Sequence, residues 1–152
     1  MDEEPLPTER DFDPLSGGLD EQIAWENFGG LALEQALARF VENPDYYQED
    51  FMFMGGKAFA FYFPVVERYL WSVPDGPQEH DHCAWILSHC IKAHFQGRDL
   101  PDVRHLVPRV VALANFVMKN IARFGRDDAE RSLVAEAWVE LVQRVGPGGS
   151  EV

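Results

Sequence analysis

The sequence predicts an all-α domain, a compact bundle of about six to seven helices preceded by an acidic arm. Three observations carry this. Apolar residues recur at three- and four-residue steps through most of the chain, which is the period of an amphipathic helix. The periodic segments are separated by short breaks rich in glycine and proline, the strongest local punctuators. No segment shows the clean apolar–polar alternation of a half-buried strand. With 152 residues, 46% of them apolar and 12% aromatic, the chain is the size of one domain and can bury roughly 68–70% of its unfolded surface.

Residues 1–18 hold three prolines, two glycines and six acids without an apolar period, and read as a flexible acidic arm. The single helical domain then spans 19–146. A first helix runs from Leu19 to Phe28, with Asp20 and Glu21 at its positive end and Gly29-Gly30 after it. A second spans Ala32 to Glu42 on the stripe Leu33, Ala36, Leu37, Phe40 and Val41. Asn43-Pro44 ends it, because the residue before proline is pushed out of the α region. Asp45 to Met54 reads as an aromatic, acidic helical turn that Asp45 can cap. Lys57 to Val73 starts apolar on every side, where periodicity alone leaves strand and helix both open. Its length favours a helix that Pro64 would kink or restart as a new first turn, and this is the element expected to be buried.

Pro74-Asp75-Gly76-Pro77 is a loop. The fifth helix runs from Asp81 to Phe95 on the stripe Cys83, Ile86, Leu87, Cys90, Ile91 and His94. The sixth runs from Pro101 or Asp102 to Phe124 on Leu106, Val110, Leu113, Val117 and Ile121. Asp127-Asp128-Ala129-Glu130 resembles a capping box that opens the seventh, which buries Val134, Trp138, Leu141 and Val145. The last three helices are expected to form an antiparallel core, and 147–152 to fray as a tail.

Charge is distributed unevenly. The formal net charge is −13, and the first 50 residues alone sum to −12, with Arg10 and Arg39 their only bases. Such an excess repels itself in a compact fold, so it points to a partner surface or a solvated segment. It argues against direct nucleic-acid binding, which needs a basic footprint. The bases Arg104, Arg109, Lys119, Arg123 and Arg126 form no tight cluster and are expected on the surface, some of them pairing with the acidic N-terminal half. No apolar run approaches the ~18 residues of a membrane span, and the acidic start lacks the core of a secretory signal. Cys83 and Cys90 lie seven apart on one predicted helix, about 10.5 Å at 1.5 Å per residue. That separation is too wide for a disulfide. The expected setting is cytoplasmic, with reduced thiols.

Two segments carry reactive groups. Within 80–94 lie His80, His82, Cys83, His89, Cys90 and His94. Cys90 and His94 are four apart on one face, a chelating spacing. However, no CxxC or HExxH occurs, and buried cysteines commonly pack as small hydrophobes. The alternative function is therefore a metal- or thiol-dependent enzyme using His80–His94, with Cys83 activated by the helix start and His82. The second segment interleaves Glu42, Asp45, Glu49 and Asp50 with Tyr46 and Tyr47. Tyrosines ringed by acids suit a basic protein partner, and these six residues are the candidate partner-binding set. No glycine-rich phosphate loop is present, and the sequence calls for no cofactor.

The stretch Asn43-Pro44-Asp45-Tyr46-Tyr47-Gln48-Glu49-Asp50-Phe51-Met52-Phe53-Met54-Gly55 resembles a segment of small bacterial proteins of unassigned function, a likeness extending from about Phe28 to Leu70. In size, acidity and single-domain build the chain is also similar to bacterial immunity proteins that neutralise toxins. That resemblance implies a non-catalytic, antitoxin-like inhibitor whose acidic N-terminal half binds a basic toxin or nuclease. A structural subunit of a larger assembly is the third reading.

Overall fold

Helices account for every regular element in the computed structural model, which describes residues 5–146. In chain order they are α1 (Glu9–Phe12), α2 (Leu19–Phe28), α3 (Leu33–Glu42), α4 (Pro44–Tyr47), α5 (Asp50–Phe53), α6 (Gly56–Trp71), α7 (Ala84–His94), α8 (Leu100–Val103), α9 (Val107–Lys119) and α10 (Asp128–Val145). The all-α bundle expected from the sequence is the architecture observed. Residues 1–4 of the expected arm, and the tail over 147–152, lie outside the described residues.

The remainder of that arm is a correction. Thr8 and Asp11 cap α1 reciprocally: the Thr8 amide donates to Oδ2 of Asp11 at 2.9 Å, and the Asp11 amide donates to Oγ1 of Thr8 at 3.2 Å. Phe12 is fully buried against Trp25 and Tyr62. Asp13 is buried too, its carboxylate accepting from the Gly17 amide and the Gln22 side chain, each at 2.8 Å. Composition suggested a loose segment because one aromatic anchor is invisible among six acids. The docking also explains Gly55. Its amide donates to the Phe12 carbonyl at 2.9 Å, and a Cβ there would stand 2.3 Å from the Asp11 carbonyl oxygen.

α6 is the central element. Ten of its sixteen residues are buried, among them Phe59, Tyr62, Phe63, Val66 and Leu70. The apolar stretch over 58–63 is therefore helix, and it is apolar all round because other helices cover it. The Tyr62 hydroxyl donates to the Leu31 carbonyl at 2.7 Å, satisfying a buried polar group and tying the α2–α3 turn to the core. α10 packs against both α7 and α9, with Val134, Trp138, Leu141 and Val145 buried as expected. The Trp138 indole donates to the Ala84 carbonyl at 2.9 Å.

Three boundaries differ from expectation, each for a local reason. α7 begins at Ala84, not Asp81, because His82 and Cys83 both take left-handed φ values, +52° and +63°. An Asx turn holds them there, with the Cys83 amide on the Asp81 carboxylate at 3.0 Å. The sixth helix breaks in two, because Pro108 sits in the first turn of α9 and offers no amide to Arg104. Residues Arg104–Leu106 tighten to a 3-10 turn instead. At α10, Asp127 caps the Glu130 amide at 2.8 Å, but the Glu130 carboxylate turns to the Arg126 amide at 2.7 Å, so the capping box is half formed.

Candidate functional site

The two reactive segments meet. α5 packs along α7, and three polar contacts join the segments in register. The Cys83 thiol reaches the Asp45 carboxylate at 3.6 Å, and the Cys90 thiol reaches the Gln48 carbonyl at 3.5 Å. The His94 Nε2 lies 2.7 Å from the Phe51 carbonyl. The steps 83, 90, 94 on one side and 45, 48, 51 on the other pin the short helices α4 and α5 as a fixed element. A thiol is a weak donor, so the His94 contact is the strongest of the three.

His94 is fully used. Its other ring nitrogen, Nδ1, sits 2.9 Å from the Asp99 carboxylate, and its ring stacks on Phe59 at 4.2 Å. Both nitrogens thus face oxygen acceptors. Burial works against a charge on Asp99, but the hydrogen bond and charge of His94 hold its carboxyl below the ordinary value. The Cys90–His94 pair expected as a weak chelating site therefore has no free nitrogen to offer. Among the described residues, no three His, Cys, Asp or Glu side chains converge on a common point.

Neither thiol is activated. Burial pushes Cys83 up to about 12, with the Asp45 and Asp81 carboxylates adding to the rise. Burial likewise raises Cys90. This corrects the expectation that the helix start and His82 would lower the Cys83 value: the left-handed turn tucks the thiol inward beside two carboxylates. Both cysteines are free.

The six candidate partner-binding residues separate into two groups. Glu42, Asp45 and Glu49 are exposed, and Tyr46 is 63% exposed with its ring edge-on to Tyr47 at 4.9 Å. Tyr47 is half-buried and packs on Phe28 at 5.6 Å. Asp50 leaves the set as a correction. It is 7% exposed and accepts from the Asn27 amide at 2.7 Å. Burial pushes its carboxyl up to about 6 against that hydrogen bond, and the charges of Glu49 and Asp20 add to the rise.

The bases do not neutralise this face. Arg109 pairs with Glu67, Arg123 with Asp75 at 3.5 Å, Arg126 with Glu130 at 2.9 Å and Lys92 with Glu140 at 3.4 Å. Among the described residues no ion pair draws on an acid of the first 50 positions. The expected pairing between the basic C-terminal residues and the acidic N-terminal half is thus corrected: Arg109, Arg123 and Arg126 each pair with a carboxylate after residue 66.

Comparison with protein-family models, curated proteins and solved structures returns no match. No helix of the described residues is long and apolar enough to cross a membrane.

Proposed function

We propose that this chain is a non-catalytic protein-binding module, an immunity- or antitoxin-like inhibitor of cytoplasmic setting, that captures a basic protein partner through Glu42, Asp45, Tyr46, Tyr47 and Glu49. The observation that carries the reading is the exposed Tyr46 among acids that have no cation of their own. An aromatic ring set edge-on against Tyr47, which itself packs on Phe28, loses little entropy on docking and can act as an anchor. The unpaired carboxylates around it attract and orient a basic surface, chiefly raising the association rate and the specificity. A nuclease whose active site expects phosphate is the kind of target such a surface would block.

The three contacts to α7 support the same reading, because a preformed epitope avoids the ordering cost of a loose one. The buried, unactivated thiols and the fully bonded His94 weigh against the enzyme alternative at Cys83, Cys90 and His94.

The test uses wild-type protein and the Glu42→Lys/Glu49→Lys variant as parallel baits in extract of the native organism, washed at rising salt. Both substituted positions are exposed, so the fold is kept, which circular dichroism checks. A basic protein retained by the wild type and lost from the variant is the expected result. Equal retention by both baits, or no basic protein retained by either, overturns the reading.

A further inference from the structure

An open groove of about 660 Å³ lies where α6 meets the first turn of α3 and the start of α9. It sits at the opposite end of α3 from Glu42, and it plays no part in the surface described above. Leu33, Ala60, Phe61 and Pro64 form much of its lining, and none of them is fully buried. A volume of this size falls within the range of small-molecule sites, ~300–1,000 Å³.

Three chemical features distinguish it from a plain apolar patch. His105 and Arg109 line it, so an imidazole and a guanidinium border an apolar floor in a chain of net charge −13. Arg109 is also fixed in place. Its Nε and Nη2 both donate to Glu67, a carboxylate 5% exposed, and the guanidinium lies 5.3 Å over the Phe63 ring. That leaves Nη1 without a protein hydrogen bond among the described residues. His105 is exposed and makes none either, and it donates to a carboxylate in either protonation state. Third, Pro64 carries no N–H, so α6 offers no donor four residues on to the carbonyl of Ala60. Ala60 and Pro64 both line the groove. The Ala60 carbonyl, at a residue that lines the groove, thus lacks its ordinary helical donor.

We propose that this groove binds an N-acyl amino acid: the acyl chain on Leu33, Phe61 and Pro64, the amide N–H on the Ala60 carbonyl, and the carboxylate at His105 and Arg109. Each feature is matched once. A simple fatty acid would leave the carbonyl unused, and an alcohol or an amine would leave the guanidinium unmatched. Glu34 lines the groove as well, and it disfavours a ligand that is anionic along its whole length rather than at one end.

Three probes separate these contacts. N-octanoylglycine carries the chain, the N–H and the carboxylate. N-octanoylsarcosine lacks only the N–H, and N-octanoylglycinamide lacks only the charge. Titration into full-length ¹⁵N-labelled protein should move the amides of Leu33, Phe61 and His105 with N-octanoylglycine at 1:1 stoichiometry. The other two probes should bind about tenfold more weakly, the usual worth of one hydrogen bond or charge contact. Pro64→Ala supplies the missing amide to Ala60 and should erase the difference between the glycine and sarcosine probes. His105→Glu, at an exposed position, should weaken the two acids and leave the glycinamide unchanged. Equal binding of all three probes, shifts confined to another face, or no shift at 1 mM would overturn the proposal. A glycine–sarcosine difference that survives Pro64→Ala would also count against it.

Discussion

At the scale of single residues, the side chains that sequence marks as reactive prove to be the ones holding the backbone in place. Asp50 is the clearest case. Its neighbours Glu49 and Asp45 are solvated, and a run of acids gives no hint which one turns inward. What decides it is Asn27, twenty-three positions away, whose amide meets the carboxylate. The consequence is measurable. In the unfolded chain this group titrates near 4, whereas in the fold burial holds its proton until about 6. The native state therefore binds the proton more tightly, and the stability that binding supplies is fully present below pH 4 and is lost as pH rises through 6. A carboxyl moved from about 4 to about 6 carries roughly 3 kcal/mol. Asp50→Asn keeps the shape and an oxygen acceptor for Asn27 but removes the titration. Urea denaturation should show the variant about 2 kcal/mol more stable at pH 7, equal to or below the wild type at pH 4, and flatter between. A variant weaker than the wild type at pH 7 would mean that the ionised carboxylate is the stabilising form.

At the scale of elements, what sequence reveals depends on whether the cause is local. Helix α2 and the end of α10 are legible because the glycines that bound them, Gly18 and Gly29 for α2 and Gly146 for α10, act within one turn. The start of α7 is not, because two non-glycine residues in the left-handed region violate local preference and are held there by Asp81. The N-terminal segment fails for the converse reason: its composition is that of a loose arm, and a single long-range contact overrides it. Phe12→Ala tests that contact. Replacing a fully buried phenylalanine typically costs 3–5 kcal/mol, and here it should also free Gly55 and the start of α6. Thermal unfolding should fall accordingly, and hydrogen exchange at the Gly55 amide should speed up. A change under about 0.5 kcal/mol would return residues 8–18 to the status of an arm. The candidate site follows the same rule. Tyr46 and its acids stand out from spacing alone, but the groove over Pro64 combines residues from α3, α6 and α9, and no local pattern joins them.

At the scale of the whole molecule, the charge imbalance seen in the sequence persists in the fold as a division of labour. Among the described residues every ion pair joins a carboxylate after residue 66 to an arginine, Lys92 or His94, whereas the acids of the first 50 positions enter none, and Asp11, Asp13 and Asp50 meet neutral donors. Self-repulsion among exposed acids should then cost stability, and salt should relieve it, since the screening length falls from ~30 Å at 0.01 M to ~3 Å at 1 M. The pairs in the other half are mostly exposed and are worth little individually, so their screening cannot reverse the trend. The urea midpoint of the wild type should therefore rise between 0.01 and 0.5 M sodium chloride. The Glu42→Lys/Glu49→Lys variant, four charges less negative, should start from a higher midpoint at low salt and gain less from added salt. A binding surface kept at the expense of stability behaves in this way, because the acids that a partner needs are the ones the fold would do better without. If salt instead lowered the midpoint of both proteins alike, the acidic half would be stabilising itself through contacts, and its availability to a basic partner would have to be rejected.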